Sequence, residues 1–404
     1  MMDVTGKPSP RAAYAQWLDT CARAGWHNLD QATGEELPLA AALGRVAAAS
    51  VTARWASPRS ACAAMDGIAI NAEKSGVGGS GIREGAGVAM HRIPPGEFEI
   101  VDTGDPMPPG TDTVVMREQV TFDDDGALIS GVVRPGRHVR ATGEDFQAGE
   151  ILIPARRRLR PADLAAAAAA GRVTIPTAKQ PTIAIVPTGD EIRPLGATLG
   201  YGDIVDSNSF MLAGRVAQLG ATATVSAVIP DDPAMLADAF RRAAQLSDLV
   251  LVIAGSSRGR GDHTAAVLAE VGGVAVAGVA VRPGHPVVLG HVKADKGTVP
   301  AIGLPGYPLA AAAIFEIFAR PLMAEAPLPR HVELDTDWTS PPEVEDWLPV
   351  SLRAGPGGTL ATPARRGAGS ASQLVRADAW WRVPVGKGSF ARGSRIEVLP
   401  LGLW

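Results

Sequence analysis

The chain is poor in cysteine, with Cys21 and Cys62 alone among 404 residues. Two thiols so placed form neither a metal-ligand pattern nor a disulfide framework. Positive charge is also short. The formal net charge is −4, and no basic stripe with interleaved aromatics runs through the sequence, which removes the bulk electrostatic case for nucleic acid. A phosphate-bearing small molecule stays in play, because backbone amides and a few arginines can build a local anion site. Long hydrophobic runs are missing as well. No window approaches the roughly 20 apolar residues of a membrane span, and the blandest stretch, Leu164 to Ala170, reads as a short Ala-rich helix. The opening MMDVTGKPSPRAAYAQWLDTC holds no apolar signal core. The expectation is a cytoplasmic protein with neither a nucleic-acid nor a membrane partner.

Turn formers are plentiful: 33 prolines and 46 glycines point to many strands and turns rather than a helical bundle. The length is too great for one ordinary core, and two to four domains are expected. Residues 10–48 look helical with a break at Gly25, and Leu39 to Ala49 continue the helical pattern after Pro38. From about 50 to 140 the texture changes to short β runs (GIAINA, FEIVDTG, TDTVVMREQVTF, GALISGVV). Extended pieces and a helix starting at Pro161 follow. Residues 180–323 alternate strands with helices of 10–15 residues, which predicts a parallel, doubly wound sheet. From about 327 the chain is Pro-rich and then β-like.

One stretch carries the most chemistry. PTIAIVPTGDE (181–191) is a fully apolar strand that stops at Pro187 and opens into Thr188, Gly189, Asp190 and Glu191. Ligands of open α/β sheets bind outside the carboxyl ends of strands, and two carboxylates there suit a hard cation such as Mg²⁺. A strand ending in a plain turn explains the segment equally well. IAGSSRGRGDHT (253–264) reads more firmly as a site. A Gly/Ser-rich loop between strand and helix, with two arginines, is an anion cradle, and Asp262 at its end could hold a metal or cap the helix. The Asp66-Gly67 pair in SACAAMDGIAI reads on spacing alone as a hairpin turn. VDTGDPMPPGTDTVVMRE (101–118) is a rigid loop presenting Thr103, Asp105 and Glu118, again more simply turn chemistry. VRPGHPVVLG and AIGLPGYP each place a Pro-Gly-x-Pro turn at a strand end, consistent with a shaped pocket or with two ordinary turns. His263 and His285 read as solvated loop histidines, Arg156–Arg158 with Arg160 as a solvated linker face, and Arg365–Arg366 as a weak anion candidate.

Taken in order, these segments resemble the molybdopterin molybdenumtransferase (MoeA) family, which includes the gephyrin E-domain. SACAAMDGIAI is similar to its S-A-M-D-G-Y-A, VDTGDPMPPGTDTVVMRE to its T-G-A-x-x-P-x-G-A-D-x-V-x-x-x-E, and VRATGEDFQAGEIL to its R-x-x-G-E-D-x-x-x-G. IVPTGDE, DIVDSNSFML and VIPDD match its central domain, GLPGYP its L-P-G-N-P, and GAGSASQLVRADAWWRVPVGKGSFARGSRIEVLPL its last β domain. The match runs over essentially the whole chain. It implies a multidomain α/β protein: an elongated N-terminal domain (1–50 plus 140–178), a β-rich inserted domain (51–139), a doubly wound α/β molybdopterin-binding-like domain (179–326) and a small C-terminal β domain (327–404). It also implies an elongated homodimer, with the cleft between the central domain of one subunit and the N-terminal region of the other. The implied reaction takes adenylylated molybdopterin and molybdate with Mg²⁺ and releases AMP and molybdenum cofactor. The pterin-adenylylating protein and apo-molybdoenzymes are further implied partners.

Carried over by position, the implied catalytic residues are Asp66, Asp145, Glu191 and Asp262, and the implied Mg²⁺ ligands are Asp190, Glu191, Asp231 and Asp262. Thr103, Thr188, Ser256, Ser257, Arg258, Gly259, Arg282, His285, Pro305 and Pro308 are the implied substrate-binding set. Three positions depart from the family pattern. The loop reads A-G-S-S-R-G-R-G-D instead of G-G-V-S-V-G-E-A-D, so Arg260 replaces an acid. His285 replaces the P-G-K-P lysine, lowering fixed charge near pH 7. Tyr307 replaces the L-P-G-N-P asparagine and cannot repeat its two-sided amide hydrogen bonding. These departures keep two alternatives open: a catalytically weak paralogue that binds or carries pterin, and an insertase that prefers tungstate. The G-S-S-x-G form resembles a prokaryotic subgroup.

Overall fold

The structure, a computed structural model, describes residues 6–26, 34–77, 90–130, 133–254, 263–324, 326–365, 367 and 371–401. The chain forms two compact units, Met1–Ala32 with Gln180–Trp404, and Thr33–Lys179.

The first unit is organised by three strands that are apolar almost throughout, Thr182–Pro187, Leu249–Ala254 and Gly297–Pro305. Such strands need cover on both faces. Side chains alternate, so Ile183, Ile185, Leu249 and Leu251 enter one cluster while Ala184, Val186, Val250 and Val252 enter the other. Helices Pro10–Arg23, Asn208–Gln218 and Pro308–Ile314 cover the first face, and Pro233–Leu246 and Thr264–Val271 the second. Each face is anchored by a fully buried ring, Trp17 on one and Phe240 on the other. Truncating Phe240 to alanine would cost about 3–5 kcal/mol. The helix Pro10–Arg23 starts at Ser9, whose Oγ accepts from the Ala12 amide, with proline in its first turn. It is fixed to the sheet by Trp17 Nε1, which donates to the Gly290 carbonyl at 2.7 Å.

The sheet order is Thr222–Val225, Thr182–Pro187, Leu249–Ala254, Gly297–Pro305, Val288–Ala294, Gly272–Ala277. The first four strands are parallel, and Val288–Ala294 pairs antiparallel with both of its neighbours. The departure from an all-parallel sheet has a local cause. Ala294 pairs with Gly297 across a two-residue connection, and so short a link can join antiparallel neighbours alone. The C-terminal strands close on themselves: Glu345–Gly355 pairs with Gly358–Pro363 on one side and Ala379–Val383 on the other. Their core is Leu334, Val350, Trp381, Val383 and Val398. The parallel pairing of Val281–Arg282 with Glu345–Asp346 joins this β region to the α/β sheet.

The second unit consists of short antiparallel ladders. Gly67–Ile70 lies between Phe98–Val101 and Thr113–Met116, and Gly126–Ser130 between Met90–Ile93 and Val120–Asp123. Gly34–Pro38 pairs with Thr174–Ala178. Two expectations are corrected in this unit. Beyond a single 3₁₀ turn at Leu39–Ala41, the stretch 34–49 is not helical, and Gly34–Pro38 is a strand. Gly44 has φ 74°, and Val46 and Ala47 form bridges to Arg158 and Thr177. The arginine run is a solvated face only in part: Arg156 and Arg160 are exposed, while Arg157 and Arg158 are half-buried. Arg157 and Arg160 pair with Asp163, which is 6% exposed, and Arg158 donates to the Gly44 carbonyl at 2.7 Å. Burial lowers the Arg158 pKa.

Candidate active site

The carboxyl ends of the central strands carry a cluster of polar groups, all within the first unit. Thr188 is buried, and both its amide (2.9 Å) and its hydroxyl (3.0 Å) donate to the Ile253 carbonyl. It ties two strand ends together. One residue on, Gly189 sits at φ 134°, and its amide donates to Ile229. That bond brings the Asp190 turn beside the Asp231 turn, where Asp190 Oδ1 accepts from the Asp231 amide at 3.2 Å. The next residue, Asp232, caps the helix Pro233–Leu246 through Met235 N, so the two adjacent aspartates divide capping from the cluster. The Asp231 carboxyl is raised above its ordinary range, first by burial and then by the charges of Asp190 and Glu191; His263 acts in the opposite direction. Among the described residues no set of three or more His, Cys, Asp or Glu converges on one metal position. The donor chemistry nevertheless suits a hard cation: three neighbouring carboxylates, one of them disfavoured as an anion, gain from positive charge.

Beside this cluster opens a cleft of about 700 Å³ lined by Thr188, Glu191, Asn208, Arg282, Pro305, Tyr307 and Pro308 among others. The Pro-Gly-x-Pro turns shape it. Gly284 lies at φ 106°, and a Cβ there would approach Ile314 Cγ1 to 2.4 Å, so only glycine lets this turn sit on the helix Pro308–Ile314. Arg282 is braced from the C-terminal β region by a two-point ion pair with Asp346, Nε to Oδ1 at 3.0 Å and Nη2 to Oδ2. Asp346 is 1% exposed and also accepts from Ser340 Oγ at 2.8 Å. Such a fork fixes the guanidinium plane as lysine could not. Arg365 and Trp347 line the same cleft. His285 does not, although its neighbours Gly284 and Pro286 do. It is half-buried, and its Nδ1 has no hydrogen-bond partner.

The second unit holds the other candidates. Asp66 Oδ1 accepts from both the amide (2.7 Å) and the hydroxyl (2.6 Å) of Thr103. These bonds, the hydroxyl first, hold the exposed Asp66 carboxyl below its ordinary range, with Arg117 contributing. Asp145 is exposed, and its amide donates to Ser57. Ser256, Ser257, Arg258, Gly259, Arg260, Asp262 and Arg366 lie outside the described residues.

Thus the first unit brings Thr188, Asp190, Glu191, Asp231, Arg282, Pro305 and Pro308 around one strand-end region, and the second joins Asp66 to Thr103. Sequence reasoning missed Asp346, Trp347 and Asn208. Asp346 and Trp347 are far along the chain and show no motif; Asn208 was legible as part of DIVDSNSFML but not as a site residue.

Comparison with known proteins completes the picture. Residues 10–171 match the MoeA N-terminal region (domain I and II), 184–325 a probable molybdopterin binding domain, and 331–401 the MoeA C-terminal region (domain IV). The molybdopterin molybdenumtransferase of a Nostoc species is 33% identical over 304 residues, covering 72% of this chain and 68% of the relative. Molybdopterin molybdenumtransferase 2 of Mycobacterium tuberculosis is 32% identical over 313 residues, covering 70% and 73%. The crystal structure of the molybdopterin biosynthesis MoeA protein from Pyrococcus horikosii superposes with a TM-score of 0.80 at 26% identity, over 98% of this chain and 99% of that one. With its three regions matched in order and its fold shared end to end, the chain belongs to the molybdopterin molybdenumtransferase (MoeA) family.

Proposed function

We propose that this protein inserts molybdenum from molybdate into molybdopterin, consuming the adenylylated pterin with Mg²⁺ and releasing AMP. The observation that carries the reading is the strand-end cleft, where a braced arginine and a repelling carboxylate cluster lie within one unit. Arg282, with its plane set by Asp346, and Arg365 supply positive charge for an oxyanion. Prolines and Trp347 line the cleft, and an apolar wall of this kind would strengthen charge interactions once substrate fills it. Asp190, Glu191 and Asp231, with Asp262, are the residues that would hold Mg²⁺. When bound, the ion would neutralise phosphate oxygens and ease departure of AMP. Ser256, Ser257, Arg258 and Gly259 would supply hydroxyls, amides and charge for the anion cradle. Asp66, Thr103 and Asp145 form the second proposed set; the Thr103 bonds keep Asp66 an anion and so suited to orient a cationic group. The working form is proposed to be a cytoplasmic homodimer that receives substrate from the pterin-adenylylating protein and passes product to apo-molybdoenzymes.

AMP release from adenylylated molybdopterin tests this reading. Wild type is expected to release AMP in the presence of Mg²⁺ and oxyanion, and Asp262→Asn to bind without release while remaining folded. Turnover at the wild-type rate in that variant would sink the assigned role of Asp262. Tight binding without release by the wild type would move the reading to a pterin-binding paralogue.

A further inference from the structure

The polar groups of the cleft are arranged unevenly. Asn208 is 7% exposed and opens the helix Asn208–Gln218. Its Nδ2 donates to the Gly306 carbonyl at 2.7 Å. That carbonyl can only accept, so the amide orientation is set and Oδ1 is left as the free end. Oδ1 has no hydrogen-bond partner in the protein. A second amide oxygen in the cleft wall, Gln373 Oε1, is in the same state. Asp206 also lines the cleft; one of its oxygens accepts from the Ser209 amide. This side of the cleft therefore holds buried, unsatisfied acceptors, and one of the two Asn208 N–H donors is committed to Gly306.

Next to Asn208, Tyr307 presents a ring that is 59% exposed at the start of the helix Pro308–Ile314. It follows directly on Gly306, the residue that holds Asn208. An exposed aromatic face beside prolines, with fixed acceptors at its edge, suits a planar heterocycle. The acceptors narrow the choice. A 2-amino-4-oxopyrimidine edge, as in a pterin, carries two adjacent N–H donors. An adenine edge carries one amine beside a ring nitrogen that accepts. Buried acceptors discriminate sharply against an edge that leaves them unpaired.

We propose that Tyr307 and Asn208 form the heterocycle subsite of this cleft and set its preference for a pterin edge over adenine: the ring of Tyr307 stacks on the bicycle, and Asn208 Oδ1, with Asp206, accepts from its donor edge. The proposal rests on the molybdopterin reading above and adds that the tyrosine at 307 supplies stacking where the family pattern has an asparagine.

The test uses the full chain with 6-hydroxymethylpterin, followed by its fluorescence, and AMP as competitor. Wild type is expected to bind the pterin, and AMP is expected not to displace it. Tyr307→Leu should weaken pterin binding about tenfold, a loss typical of one base–aromatic stack, and Tyr307→Phe should restore it. Asn208→Ala should weaken pterin binding too, with circular dichroism to verify folding; the exposed Tyr307 variants keep the test decisive if Asn208→Ala unfolds. No pterin binding by the wild type, equal affinity in Tyr307→Leu, or competitive displacement by AMP would overturn the assignment, the last by placing adenine there. The two readings fail separately. Pterin binding that depends on Tyr307 without oxyanion-dependent AMP release defeats the insertase reading alone. AMP release with unchanged KM and pterin affinity in Tyr307→Leu defeats the subsite alone.

Discussion

Two threonines each stand beside a Gly-Asp turn, and the fold uses them in opposite ways. Thr188 in the α/β unit is buried, with its hydroxyl donating to a strand carbonyl. Thr103 in the other unit is exposed, with its hydroxyl donating to the carboxylate of Asp66. The first acts on the scaffold and reaches chemistry through strand position. The second acts on the charge state of one acid and leaves the scaffold alone. The contrast extends to their surroundings. Around Thr188, polar groups are braced by buried partners such as Asp346; around Thr103, pairs are exposed and local, and exposed pairs contribute little to stability.

The strongest way to break this contrast is at the brace. Asp346→Ala would leave Arg282 without its carboxylate in a partly buried position, and denaturant unfolding is expected to show a loss of about 3–5 kcal/mol. A loss under ~1 kcal/mol, the range of a surface pair, would mean that the pair is not a buried brace. Next in size is Thr188→Val, which removes the hydroxyl's bond to Ile253 while keeping the amide's bond and the shape. It should cost about 0.5–1.5 kcal/mol in the same measurement, with pterin affinity unchanged. A large affinity loss at constant stability would reassign Thr188 to direct substrate contact.

Asp231→Asn sharpens the comparison from the side of charge. Wild type is expected to gain several degrees in melting temperature on adding saturating Mg²⁺, because a ligand of the folded state alone stabilises it. The variant should lose most of that gain by differential scanning calorimetry. An undiminished gain would place the cation elsewhere.

The smallest effect on stability is expected at Thr103→Val. The Asp66 carboxyl lies below its ordinary range because of Thr103. An acid so depressed contributes stability above its unfolded pKa, and that contribution is lost as pH falls through the folded value. Removing the hydroxyl raises the folded value, so both the Asp66 titration, followed by NMR, and the acidic limb of the rate profile should move to higher pH. Stability at neutral pH should hardly change. An unmoved Asp66 titration would show that the Thr103 amide alone sets it.

What the sequence discloses follows from how local the cause is. The run Ile183–Val186 announces a strand covered on both faces, and its end at Pro187 locates the cleft, because strand burial and the carboxyl-end rule are properties of a short segment. Asp231 enters only through the family resemblance of VIPDD, since its strand ends at Val225. The antiparallel end of the sheet was legible in principle from the two-residue link at Asp295-Lys296. Other features are set by packing between distant segments. Asp346 meets Arg282 because one β region pairs alongside another, 64 residues away in the chain. Trp17 finds the Gly290 carbonyl 273 residues on, so the helix Pro10–Arg23 shows its apolar face in sequence but not the surface it covers. Arg158 looks like part of a solvated run until Gly44 provides an acceptor for it. His285 occupies a turn of the expected shape, yet its side chain leaves the cleft wall to its neighbours.

The central claim is that the braced cleft and its carboxylates serve molybdenum insertion. The most direct measurement is AMP release by purified protein supplied with adenylylated molybdopterin and Mg²⁺, in parallel with molybdate, with tungstate and with neither. Release that depends on an oxyanion is predicted, and the faster of the two names the preferred metal. Release at the same rate without any oxyanion, or no release in all three, would contradict the account.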